Sequence, residues 1–169
     1  MKDLRLDTHR IVPCVLLTAI ALLCCSLPAS AWQGRVVHLP DARSLIIEQE
    51  GKRRTVSLYA LRTPDLDEPF GKAAYAFFVA HLKGQRVDIQ PVHSPGEGAL
   101  VFVLGNQESI NEKMLRQGWA WIQDAYCENA RLCGRLNDIQ TQAERLKRGI
   151  WKKIPEDTPP WRWLREHGS

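Results

Sequence analysis

Val56-Ser57-Leu58-Tyr59-Ala60-Leu61-Arg62-Thr63-Pro64-Asp65 takes a strand into a turn and delivers the chain to a helix. Arg53–Tyr59 and Ser44–Glu48 flank Gln49-Glu50-Gly51-Lys52, a hairpin signal between two strand-like runs. Thr63-Pro64 then favours an extended turn, because the proline ring disfavours helical backbone in the residue before it. Phe70–Leu82 follows, with Ala73, Ala74, Phe77, Phe78, Val79, Ala80 and Leu82 giving a broad apolar face that ends before Gly84. That segment is expected to be a helix.

On the N-terminal side, Gly34–His38 alternates weakly and reads as a first strand. On the C-terminal side, Arg86–Val92 reads as a fourth strand, Ser94–Gly98 as a turn, and Ala99–Leu104 as a buried fifth strand. Ser109 is placed to cap a helix that Arg116-Gln117-Gly118 stops. Arg131–Lys147 is a charged amphipathic helix with Leu132, Leu136, Ile139, Ala143 and Leu146 as its stripe, stopped by Gly149. The order βββ-α-ββ-α-α predicts an α+β protein: a five-stranded OB-type barrel with three helices.

The first residues read as a targeting segment. Lys2, Arg5 and Arg10 outweigh Asp3 and Asp7, an apolar run spans Ile11–Leu27, and Ala29-Ser30-Ala31 is a small-residue cleavage pattern. Residues 1–31 are therefore expected to be a cleaved signal peptide, and the mature chain to be exported, to a periplasm or to the medium. An uncleaved anchor is the alternative, since the run is near the lower end of the ~17–25 residues that span a bilayer. After cleavage no membrane span is expected. Residues 32–151 would then form the domain, and 152–169 a basic extension rich in Trp and Pro.

Cleavage removes Cys14, Cys24 and Cys25 and leaves Cys127 and Cys133, an even pair that an oxidising compartment would join. The full chain carries a net charge of +4. Removing three bases and two acids leaves it mildly basic, which permits an anionic partner without requiring one. His38, His81, His93 and His167 are scattered and show no metal-binding spacing. In the extension, Trp161 and Trp163 stand beside Arg162 and Arg165. Such a group can stack on and neutralise nucleic acid, or simply dock the tail on the barrel.

Asp41-Ala42-Arg43-Ser44-Leu45, Val56–Asp65, Pro69-Phe70-Gly71, Asn111-Glu112, Arg116-Gln117-Gly118 and Gly149-Ile150-Trp151 together resemble the staphylococcal nuclease (thermonuclease-like) family. The resemblance covers roughly Gly34 to Trp151 and implies the same OB fold. It also implies positions for chemistry, where a metal-dependent phosphodiesterase needs carboxylates for a cation, an acid to activate water and cations for the phosphate. The two calcium-ligand positions carry Arg43 and Arg62. The two arginine positions carry Ser57 and Glu97. The water-activating glutamate position carries Asp65, one methylene shorter. Asp41, Thr63, Pro64, Asn111, Gly118 and Trp151 match scaffold positions, and Asn111 is expected to bond backbone.

This pattern predicts an exported, catalytically inactive nuclease-like domain without a metal cofactor. Arg43 and Arg62 would bind an anionic ligand, a nucleic acid or an acidic group of a protein partner. Two alternatives stay open. One is an active exported nuclease with a rearranged calcium site near Asp67 and Glu68. The other is a structural subunit that contacts proteins in the cell envelope.

Overall fold

The computed structural model describes residues 31–92 and 98–168. The expected signal segment, with Cys14, Cys24 and Cys25, lies outside the described residues, as do His93 and Glu97. Five strands form a sheet: β1 (Trp32–His38), β2 (Ser44–Gln49), β3 (Lys52–Ser57), β5 (Arg86–Val92) and β6 (Gly98–Val103), in the order β3-β2-β1-β5-β6. Two-residue strands β4 (Leu61–Arg62) and β7 (Trp121–Ile122) pair separately. All ladders are antiparallel. The helices are α1 (Gly71–Leu82), α2 (Ile110–Arg116), α3 (Ala130–Arg145) and α4 (Pro160–His167).

β1 is the strand on which the sheet turns. Its first half, Trp32–Arg35, pairs with β5, and its second half, from Arg35 on, pairs with β2. Its register with β2 shifts between Val36 and His38, the irregularity that lets a strand bend. A parallel bridge between Leu58 and Ala99 links the end of β3 to β6 and curls the sheet toward closure. Gly98 makes that closure possible. A Cβ there would stand 2.6 Å from the Tyr59 Cα, closer than side chains pack. The inward side is filled by Leu45, Ile47, Val87, Ile89 and Val101, with Ala74, Phe78 and Leu82 of α1 set against them. The α+β, five-stranded OB-type architecture expected from the sequence is the one observed.

Local chemistry explains the helix ends. At α2, the Ser109 hydroxyl accepts the Glu112 N–H at 3.2 Å while the Glu112 carboxylate accepts the Ser109 N–H at 3.0 Å. This reciprocal box satisfies two otherwise orphaned donors. The same helix ends with Gly118 N–H on Leu115 O and Trp119 N–H on Met114 O, with Gly118 at φ 70. That is the left-handed closure glycine permits.

Two expectations are corrected. Leu146 does not extend the apolar stripe of α3. The helix stops at Arg145, Lys147 takes a left-handed φ of 48, and Leu146 is 53 % exposed. There are also four helices among the described residues, where three were expected. The additional one is α4 in the C-terminal extension, entered through Pro160 at its first position, where the missing N–H is harmless. Leu164 of α4 is buried with Trp121, Ala143, Ile150, Trp151 and Ile154 in a second apolar cluster, and Trp163 packs on Phe70 with ring centroids 6.0 Å apart. The tail docks. Between α3 and α4, Lys147 pairs with Glu156 at 2.9 Å. Its hydrogen bond and charge hold the Glu156 carboxyl below the usual carboxylate range.

Candidate functional site

Three turns carry the residues singled out in sequence. Asp41 shapes the first: its Oδ1 accepts the N–H of Arg43 at 2.8 Å and of Ser44 at 2.7 Å. This is an aspartate turn that fixes the backbone leading into β2. The Leu58 N–H then bonds the Arg43 carbonyl at 2.8 Å, setting the end of β3 beside that turn. Ala60 makes the third bend with φ 54, a left-handed conformation unusual for a residue with a Cβ. Its carbonyl accepts the Gln123 N–H at 2.9 Å, and β4 pairs Arg62 with Trp121.

Arg43, Ser57 and Arg62 consequently line one cavity of about 370 Å³, closed by Gln123 and Tyr126. Among the described residues, no carboxylate lines it. Both guanidinium groups belong to exposed residues, so water screens part of their mutual repulsion. Asp65 is not part of this lining. It lies exposed in the turn ahead of α1, where its N–H donates to Glu68 Oε2 at 2.8 Å. Of the positions the family resemblance marks, Arg43, Ser57 and Arg62 share this cavity and Asp65 is not in its lining, while Glu97 lies outside the described residues. Arg53, by contrast, pairs with Glu48 at 3.5 Å on the outer surface.

Asn111, fully buried, holds the strands behind the cavity. Its Oδ1 accepts the Val101 N–H at 3.1 Å, and its Nδ2 donates to Ala99 O at 3.1 Å. Tyr59 is also fully buried, and its hydroxyl accepts the N–H of Glu128 at 3.0 Å and of Asn129 at 3.3 Å. Those two residues lie in the loop that the Cys127–Cys133 disulfide closes. The pairing expected for the two cysteines is thus present.

A second cavity, about 520 Å³, adjoins the first through Arg62 and Gln123, which line both. Its far wall is α4, which contributes Trp161 and Arg165. Trp161 is 51 % exposed although its neighbours Leu164 and Trp163 are packed down. The sequence offered the Trp–Arg cluster but no sign of which tryptophan faces the groove. Gln123 and Tyr126 had no sequence signal at all.

Calcium takes about six to eight oxygen ligands, mostly carboxylates and carbonyls. The side chains lining the Arg43–Arg62 cavity do not supply such a set. Among the described residues, no group of three or more His, Cys, Asp or Glu side chains is arranged to hold a metal ion.

Residues 55–153 match the family described as staphylococcal nuclease homologue. The chain belongs to the staphylococcal nuclease family. It is 29 % identical over 127 residues to a thermonuclease of Staphylococcus hyicus, an alignment covering 69 % of this chain and 74 % of that protein. To a thermonuclease of Staphylococcus intermedius it is 27 % identical over 127 residues, covering 70 % of this chain and 75 % of the other. An uncharacterized endonuclease of Escherichia coli is 23 % identical over 132 residues, covering 77 % of this chain and 83 % of that protein. The helix α4 lies beyond the stretch that matches the staphylococcal nuclease family.

Proposed function

We propose that this member of the staphylococcal nuclease family is an exported binding domain that holds an anionic, phosphate- or carboxylate-bearing ligand without cleaving it. The observation that carries the reading is the joint lining of one cavity by Arg43, Ser57 and Arg62, with no carboxylate among the described residues that line it. Two guanidinium groups offer planar, forked donors suited to phosphate and carboxylate oxygens. They disfavour a divalent cation by charge, and they cannot act as its ligands. The resemblance of the family positions supports the same reading, since both implied calcium ligands are arginine here. Export is supported by the Ala29-Ser30-Ala31 pattern and by the Cys127–Cys133 bridge, which persists best in an oxidising compartment. Among the described residues no helix is long and apolar enough to cross a membrane.

The test has two arms. Purified protein is assayed for cleavage of DNA and RNA with calcium and with chelator, and no calcium-dependent cleavage above control is expected. Inorganic phosphate and pyrophosphate are then titrated at low and moderate salt against the wild type and Arg43→Ala/Arg62→Ala. A built site loses binding in the double variant, whereas diffuse surface attraction fades with salt and ignores the substitutions. Robust calcium-dependent cleavage, or equal anion binding by the two proteins, overturns the reading.

A further inference from the structure

The two cavities differ in charge although they share Arg62 and Gln123. The first is lined by Arg43 and Arg62 with no acid among the described residues. In the second, Arg62 and Arg165 are matched by Glu68 and Asp124. A free inorganic anion gains from the first and finds no net attraction in the second. The second also has an aromatic wall, and its volume, about 520 Å³, is within the range of pockets that enclose small organic ligands, roughly 300–1,000 Å³. The ligand that suits both carries a phosphate at one end and a flat, polar, uncharged ring at the other.

Trp161 is what distinguishes this groove from a gap left by imperfect packing. On α4, Leu164 and Trp163 are taken up in anchoring the helix, and Trp163 stacks on His167 with centroids 4.3 Å apart. Trp161 takes no part in that anchoring and stays half exposed along the groove wall. Docking the tail therefore accounts for one tryptophan of the pair and leaves the other. The indole offers a face for a nucleobase, and the neighbouring Arg62 a donor for the phosphate attached to it. Asp124 and Glu68 add acceptors for ring amino groups, although Glu68 Oε2 already receives the Asp65 N–H.

We infer that α4 completes a nucleotide-binding groove for single-stranded nucleic acid. A phosphate sits between Arg43 and Arg62, and the attached base stacks on Trp161. The inference rests on the anion-binding reading above and names its ligand class. It assigns the base-recognising half of the site to a helix outside the family-matched residues.

The experiment compares a short single-stranded oligodeoxynucleotide with inorganic phosphate by calorimetric titration of the full protein at moderate salt. The oligonucleotide is expected to bind at least about tenfold tighter than phosphate. Trp161→Ala should weaken the oligonucleotide by about tenfold, the scale of one stacked base, and leave phosphate unchanged. Trp161→Phe keeps an aromatic face and should retain most of the affinity, and thermal melts of both variants check that α4 stays docked. Arg62→Ala should weaken both ligands. Phosphate binding with no gain for the oligonucleotide, or a gain that survives Trp161→Ala, overturns the groove while the anion site stands. Binding of neither ligand by the wild type removes both.

Discussion

The phenolic oxygen of Tyr59 accepts the backbone N–H of Glu128 at 3.0 Å, across 69 residues of sequence. This bond joins the turn that presents Arg62 to the disulfide-closed loop ahead of α3. Because Asn129 donates to the same oxygen, removing the hydroxyl leaves two part-buried amides without their partner. Tyr59→Phe should lower stability by about 1–2 kcal/mol, read as a shift in the urea midpoint with an unchanged slope. No shift would mean that water replaces the hydroxyl without penalty.

Asn111 has a heavier duty. Its amide bonds the backbone of Val101 and Ala99 in a site with no exposure. Asn111→Ala strands the buried Val101 N–H and removes one of two donors from Ala99 O, which keeps the Tyr59 N–H at 3.0 Å, and should destabilise by about 2 kcal/mol. Thermal unfolding of the two proteins checks it. Asn111→Asp is expected to be no better, since a carboxylate cannot donate to Ala99.

Reduction tests the bridge. Cys127 and Cys133 close a short loop, so the entropic gain is modest, roughly 2 kcal/mol in the chain-entropy account. Cys127→Ser/Cys133→Ser should melt earlier than the wild type and be insensitive to added reductant. Intact mass under denaturing, non-reducing conditions should show no free thiol at either position in the wild type.

The charge of the cavity offers a gain-of-function test. Arg43→Asp/Arg62→Asp returns carboxylates to the two positions that the family resemblance assigns to calcium. The melting temperature of this variant should rise with millimolar calcium, because a ligand that binds only the folded state stabilises it. The wild type should show no such rise. An indifferent double variant would mean that the turns no longer bring these two side chains within reach of one ion.

Much of the barrel was legible because local signals agreed with one another. The Gln49–Lys52 turn between β2 and β3, the apolar face of α1 and the Ser109–Glu112 cap each announced their element. What escaped depends on distant partners. β4 and β7 are two residues each and exist only because Leu61–Arg62 meets Trp121–Ile122. Lys147 closes α3 in a left-handed turn normally left to glycine, so Leu146 continued the helical spacing in sequence but not in space. The site divided in the same way. Arg43, Ser57 and Arg62 were found through the family pattern. Asp65, at the position of the family's water-activating acid, sits in a turn whose backbone N–H is held by Glu68, outside the cavity lining. The exposure of Trp161 depends on which face of an eight-residue helix meets the barrel, and the burial of Leu164 decides that.

The docking of Leu164 also bears on how this protein can be cut. The family match ends at residue 153, yet Ile154 and Leu164 beyond it help bury Trp121, Ile150 and Trp151. A recombinant fragment trimmed to the matched stretch would bare a greasy, indole-rich surface and be prone to self-association. Expression boundaries, chimaeras and affinity tags are best placed after His167, where the last turn of α4 has finished shielding the barrel's flank.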